Sequence, residues 1–195
     1  ITIEMDDSSG CRSDGLEASV DPAQVQLNAD DEETVTVTVS VPDGEQTEAG
    51  SHCFITRATV TAPAPPPGTD AAQDNLSVTL NIPELHECEA VLSTSSMTIA
   101  PGASQSANFI LSNAGNSDWT VGFGKSGSKA NWVTPDVSQR NLPYDNGNGQ
   151  ATFSFDVTPD DSIQAGQTET IEIRALDGNS PRCAATISIT VGQSY

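Results

Sequence analysis

The chain has 195 residues, of which 27 are acidic and only 7 are basic, so its formal net charge is −20. A surface of this kind repels nucleic acid and anionic lipid, because both are bound through lysine and arginine. No run of 18 apolar residues is present, so the sequence predicts no membrane-spanning helix.

Alternating β-branched and polar residues predict strands along the first half of the chain. The clearest pattern places Val35, Val37, Val39 and Val41 on one face. Further strands are predicted at 1–5, 16–20, 25–27, 53–61 and 76–82. Residues 62–68, with four prolines, are interpreted as an extended hairpin insertion, with a proline ligand for a partner domain as the alternative.

The second half continues with the same kind of pattern after a short predicted linker at 83–87. Strands are predicted at 89–92, 96–99, 105–111, 119–123, 132–133, 151–157 and 185–191, and a further strand is predicted to end at residue 175. No window sustains a period of 3.6 residues, so no helix longer than one turn is expected. Period-two patterning in both halves also argues against disorder, which so acidic a composition would otherwise favour.

The second half repeats the order of features in the first half. In both, an alternating strand is followed by a Pro-Asp turn, an Ala-Gly turn and a strand ending in Arg-Ala, at 34–58 and at 151–175. Each half then ends in another alternating run. We therefore predict an all-β fold of two tandem immunoglobulin-like β-sandwiches, an incomplete one at 1–85 and a complete one at 86–195.

The first sandwich is predicted to lack its initial strands. The alignment places residues 1–3 opposite residues 119–121, so the strands at 96–99 and 105–111 have no counterpart in the first half. The valine face at 35–41 would then be partly uncovered. We expect a segment outside this domain to complete it, either from a longer polypeptide or from a neighbouring subunit.

Four cysteines, two in each half, show no Cys-x-x-Cys or zinc-ligand spacing. Even numbers per domain in an all-β chain favour one disulfide per domain and an oxidising compartment. We predict the pairs Cys11–Cys53 and Cys88–Cys183, with buried free thiols as the alternative.

Calcium is the metal that the carboxylate clusters suggest, because hard oxygen ligands on turns suit Ca²⁺. The candidate ligands are Asp6, Asp7, Asp30, Asp31, Asp160 and Asp161. No cluster has the EF-hand spacing, and the alternatives are turn-capping acids and a solvated acidic surface suited to salty water. No other cofactor is predicted. Asn75 begins a glycosylation sequon, Asn-Leu-Ser.

No pattern predicts catalysis. His52 and Cys53 are neighbours on a predicted strand, so their side chains point to opposite faces, and His86 lies in the linker. Phosphate-binding loops and zinc-protease motifs are absent from the sequence. The aromatic residues Trp119, Phe123, Trp132 and Tyr144 are interpreted as core, with an exposed sugar-binding platform as the alternative.

Three stretches of the second half resemble the immunoglobulin-like repeats of archaeal and bacterial surface proteins, including CARDB and NEW3-type domains. They are Ser96-Met-Thr-Ile-Ala-Pro-Gly, Phe109-Ile-Leu-Ser-Asn-Ala-Gly-Asn and Phe155-Asp-Val-Thr-Pro-Asp. The first half shares only the later strands. Two lysines beside many acidic residues also resemble halophilic or marine archaeal proteins.

This resemblance implies a non-enzymatic structural component of an extracellular surface protein or filament: a stalk, an adhesin segment or a pilus-like assembly. Its expected partners are copies of itself or flanking immunoglobulin-like domains, and strand donation is one expected means of assembly. The rival expectation is a carbohydrate-binding or spacer module of a secreted enzyme, which tryptophan exposed in a groove would favour.

Overall fold

Fourteen β-strands run through the part of the chain that the computed structural model describes, residues 1–5, 15–28, 30–41 and 47–193. The all-β class predicted from alternating residues is confirmed. The strands are β1 (Thr2–Met5), β2 (Glu17–Asp21), β3 (Thr36–Ser40), β4 (Gly50–Thr59), β5 (Gln73–Ile82), β6 (Cys88–Leu92), β7 (Ser96–Ile99), β8 (Gln105–Asn113), β9 (Trp119–Ser126), β10 (Val133–Pro135), β11 (Gln139–Leu142), β12 (Gln150–Val157), β13 (Thr168–Asp177) and β14 (Ser180–Val191).

These strands belong to two compact units, Ile1–Pro83 and Glu84–Tyr195. The sequence placed the division two residues later, inside a linker. Residues 84–87 belong with the second unit because backbone hydrogen bonds hold them. The amide of Ala114 donates to the carbonyl of Glu87 at 3.0 Å, and that of Asn116 donates to the carbonyl of Leu85 at 3.1 Å.

The second unit is a two-sheet sandwich. One sheet has the order β10-β12-β8-β6 and the other has the order β11-β9-β13-β14-β7. Alternate residues of each strand point between the sheets, where Phe109, Phe153, Ile171 and Ile187 are fully buried. Neighbouring strands pair antiparallel except for β7, which runs parallel to β14 along its outer edge.

A buried asparagine closes one end of this sandwich. The Asn113 side-chain amide donates to the carbonyl oxygens of Ser117 at 2.9 Å and Pro143 at 3.0 Å. Its side-chain oxygen accepts from the Gly115 amide at 2.9 Å. A Cβ at Gly115 would lie 1.9 Å from the Leu85 carbonyl oxygen. Gly115, in a sequence predicted only as a turn, is therefore required by the close approach of two backbone segments.

The first unit is smaller, with described sheets in the orders β1-β4-β5 and β2-β3. The inner face of β4 carries Phe54, which is buried, together with the buried polar side chains of His52 and Thr56. Ile3 of β1 is the other buried apolar side chain among the described residues of this unit. This core is much poorer in large apolar side chains than that of the second unit.

Strand register corrects the predicted alignment of the two halves. Ile3 lies opposite Ala58, whereas Phe123 lies opposite Ala175. Since Ala58 and Ala175 end the repeated Arg-Ala strands, residue 3 corresponds to residue 123 and residue 1 to residue 121. The sequence alignment was two residues out of register, which preserves the inward face because side chains alternate with period two.

Candidate functional site

Strand β5 carries the most exposed apolar stripe of the first unit. Leu76, Val78 and Leu80 share its inner face, and the fractional exposures of Leu76 and Leu80 are 64% and 38%. The sequence instead predicted that the uncovered face lies on the valine strand at 35–41. Val35, Val37 and Val39 are half-buried, and of that set only Val41 is exposed.

The residues of the second unit that correspond to Val78 and Leu80 are fully buried, and Ala185, which corresponds to Leu76, is half-buried. In the first unit Phe54 lies opposite Val78, and the corresponding pair in the second unit is Ile171 opposite Ile187. Two residues further along these strands, Leu80 corresponds to Ile189. Ile187 and Ile189 are 0% exposed. Strand β7 places Met97 beside Ile189, and Ala107, Phe109 and Leu111 of β8 belong to the same buried cluster as Ile187 and Ile189. Val78 and Leu80 are thus more exposed than the residues of the second unit to which they correspond.

An open groove of about 280 Å³ lies between the two small sheets. Its lining includes Ile3, Val35, Val37 and Ala58, with Leu76 at its rim beside Asp74. The groove adjoins the valine face at 35–41, and the absence of initial strands from this unit stays a prediction.

One predicted disulfide is observed. Cys88 of β6 and Cys183 of β14 are joined, with 5.7 Å between their Cα atoms. This bond ties the first strand of the second unit to its last, as the sequence predicted. In the predicted pair Cys11–Cys53, Cys53 is disulfide-bonded, and Cys11 lies outside the described residues, so the pairing stays a prediction.

Of the six candidate calcium ligands, Asp6 and Asp7 lie outside the described residues. The Asp31 carboxylate accepts from the backbone and side-chain amides of Asn28 at 3.0 and 2.7 Å. The Asn28 side chain, and then its backbone amide, hold the pKa of Asp31 below its ordinary value. Asp30 and Asp161 are exposed. Within the described ranges, no three acidic, histidine or cysteine side chains come together as a metal-binding group, and calcium binding stays a prediction.

Asp160, another candidate ligand, has a structural partner that the sequence did not indicate. Its carboxylate accepts a hydrogen bond from the Trp132 indole N–H at 3.0 Å and lies 3.9 Å from Lys129 Nζ. Trp132 itself is 2% exposed. A buried indole N–H is costly to leave without a hydrogen-bond partner, and the Asp160 carboxylate supplies that partner to Trp132.

Salt dependence distinguishes a general acidic surface from a specific cation site. Because self-repulsion at a net charge of −20 is screened at molar ionic strength, where the Debye length is about 3 Å, we expect the melting temperature to hold or rise as NaCl is added. Thermal unfolding monitored by circular dichroism measures this. A melting temperature that falls steadily with NaCl contradicts it. If millimolar Ca²⁺ alone matches molar NaCl, a specific site replaces general screening.

An ionic cluster surrounds His86, which the sequence placed in a linker. The His86 ring stacks on Trp119, with centroids 5.3 Å apart and planes inclined by 9°. Its Nδ1 lies 3.0 Å from an Asp177 carboxylate oxygen, which also accepts from Arg182 Nη2 at 2.7 Å. Arg182 is the larger cause, and His86 the next, that hold the pKa of Asp177 below its ordinary value.

This lowered pKa predicts a pH dependence. A carboxylate whose pKa is depressed by folding contributes stability above its ordinary value of 3.8, and that contribution is lost as pH falls through the depressed pKa. We expect Asp177→Asn to destabilise the second unit at neutral pH, and this effect to diminish as the pH falls below 3.8. Denaturant unfolding at several pH values measures the difference. Arg182→Gln should reproduce the trend, and a destabilisation that is independent of pH contradicts it.

The aromatic residues do not form a surface platform. Trp119, Trp132 and Tyr144 are buried, and Phe123 packs against the core with its ring centroid 5.5 Å from that of Phe153. The core interpretation of these four residues is therefore the one the structure supports. Exposed tryptophan was the feature that favoured a carbohydrate-binding module, and both tryptophans lie in the core.

The structure also describes the sequon residue and the neighbouring His52 and Cys53. Asn75, the sequon residue, is exposed on β5. His52 is buried, with Nε2 2.8 Å from the carbonyl oxygen of Glu48, and its neighbour Cys53 is disulfide-bonded. Within the described part of the chain, no helix is long and apolar enough to span a membrane.

Comparisons with known proteins find no matching family model and no matching curated protein. The resemblance to CARDB and NEW3-type repeats therefore stays a prediction. Among solved structures, domains 4 and 5 of the S-layer protein SbsC are 15% identical over 74% of this chain and 66% of that one, with a TM-score of 0.38.

Two further structures give similar values. SbsC domains 1–6 are 15% identical over 93% of this chain and 20% of that one, with a TM-score of 0.41. The PapD-like domain 7 of human CEP192 is 11% identical over 54% of this chain and 87% of that one, with a TM-score of 0.35. The chain thus spans only part of the S-layer structures that it matches.

Proposed function

We propose that this chain is a non-enzymatic structural component of an extracellular surface protein or filament. The observation that carries the proposal is the Cys88–Cys183 disulfide, which joins the first and last strands of an all-β unit. Such bonds persist in oxidising compartments outside the cytoplasm. The strongly acidic surface fits a soluble, solvent-facing role and disfavours nucleic acid or anionic lipid as a partner.

Within this function, the finer proposal is a stalk, adhesin or pilus-like assembly built by strand donation between chains. The open apolar groove of the first unit supports it, because a sandwich with an uncovered stripe gains stability when a further strand covers it. Neighbouring copies or flanking immunoglobulin-like domains are the proposed partners. Burial of both tryptophans disfavours the rival proposal, a carbohydrate-binding module.

Localisation tests the broader proposal without reference to assembly. Intact cells of the source organism are treated with a protease, and their fractions are then probed with an antibody to this chain under non-reducing conditions. The proposal expects an antigen that is degraded on intact cells and whose cysteines resist alkylation before reduction. An antigen protected inside the cell, with cysteines that alkylate freely, contradicts it.

A further inference from the structure

The corresponding strands β14 and β5 differ in how their outer edges are paired. In the second unit the outer edge of β14 is paired with β7 in parallel, with Ile189 beside Met97 and Val191 beside Ile99. In the first unit, β5 is the corresponding strand and lies at the edge of its sheet as described. The arrangement in the second unit therefore shows what kind of strand fits beside β5.

The edge of β5 lacks the features that normally prevent strand addition. Exposed edges are usually protected by lysine, proline, a bulge or short length. Strand β5 has ten residues, pairs with β4 without a register shift, and contains neither lysine nor proline. Its only charged residue is Asp74, near one end. A long, regular edge beside the exposed Leu76 and Leu80 side chains is suited to pairing.

We infer that the first unit accepts, along the edge of β5, a parallel β-strand from another polypeptide with the alternating pattern of β7. This inference rests on the proposed structural role and names the acceptor site within it. The strand's inward apolar side chains lie beside Leu80 and Ile82, as Met97 and Ile99 lie beside the corresponding Ile189 and Val191 of β14. The donor is not this chain's own β7, because Met97 and Ile99 are buried in the second unit.

Charge restricts the donor further. Residues 1–86 contain sixteen acidic and two basic side chains, so a donor with acidic flanks is repelled. The sequence around β7, residues 93–103, has no charged residue. The donor is therefore a neutral or basic segment with apolar residues at every second position.

A peptide of residues 93–103 serves as the probe. It is titrated to millimolar concentration into the full isotopically labelled chain, and backbone amide shifts are recorded by NMR. We expect saturable shift changes confined to β5 and the groove-lining strands, with slower hydrogen exchange of β5 amides. The same segment tethered ahead of Ile1 through a flexible linker reaches millimolar local concentration, so it should protect β5 even where affinity in trans is weak.

Two lysine variants separate the apolar contact from a charge effect. Leu80→Lys places a charge on the inner face of β5 at a side chain that is already 38% exposed, so folding should be kept. Thr79→Lys places the same charge on the opposite face. Losing one apolar contact should weaken binding about tenfold or more in Leu80→Lys, whereas Thr79→Lys should bind as the unchanged chain does.

Three results overturn the inference: no shift or protection with the tethered segment, equal effects of the two lysine variants, or β5 amides already protected in a self-associated chain before peptide is added. The last result, detected by analytical ultracentrifugation, makes a second copy the occupant. None of these results alters the localisation test, so the acceptor site and the broader structural role fail independently.

Discussion

Removal of the Cys88–Cys183 disulfide, by replacing both cysteines with alanine, is expected to lower the free energy of unfolding of the second unit by about 4 kcal/mol. The two cysteines are 95 residues apart in the chain. A cross-link that closes so long a loop restricts the unfolded chain strongly, and the stabilisation increases with loop length. The loss is a large fraction of the stability of an ordinary domain.

Tryptophan fluorescence measures this effect in the second unit alone. The chain has two tryptophans, and both Trp119 and Trp132 belong to that unit. Guanidinium unfolding followed by fluorescence should therefore show an earlier midpoint in the double alanine variant, and wild-type protein with a reducing agent is the control. An unchanged midpoint in both samples contradicts the prediction.

The second large effect is expected at the corresponding positions Ile189 and Leu80. Ile189→Ala should cost about 2–5 kcal/mol, because it removes a fully buried side chain and leaves a cavity. Leu80→Ala should cost about 1 kcal/mol or less, because its side chain already contacts solvent. Fluorescence-monitored unfolding measures the first variant, and hydrogen exchange of β4 and β5 amides measures the second.

The contrast between these variants also tests whether the first unit is open in solution. Equal costs at the two positions would mean that Leu80 is buried in solution. A small cost for Leu80→Ala that becomes large when the tethered segment of residues 93–103 is present would indicate that the added strand buries this position.

Alternation along the chain made the strands predictable, because a half-buried strand exposes every second residue. The Cys88–Cys183 disulfide could be predicted because each half of the chain contains two cysteines. The repeat was visible because the Pro-Asp, Ala-Gly and Arg-Ala features occur in the same order, but the placement of residues 1–3 opposite 119–121 was wrong by two residues. Short strands with period two allow such slips, since a shift of two residues keeps every side chain on its original face.

Other contacts could not be predicted because they join residues far apart in sequence. Asp160 looked like a metal ligand beside Asp161, and only the fold places it against the Trp132 indole N–H. His86 stacks on Trp119 and contacts Asp177, which lies 91 residues away. The exposed stripe on β5 was missed because its sequence matches that of the buried β14. Among the described strands, β14 is paired with β7, whereas β5 lies at the edge of its sheet.

Electron microscopy of native cell-surface material, with this chain located by antibody labelling, tests the central claim most directly. A structural component of a surface layer, stalk or filament should be found in regular arrays or fibres, with label repeating along them. Discrete unassembled particles, or label confined to the cell interior, would contradict a structural role at the cell surface.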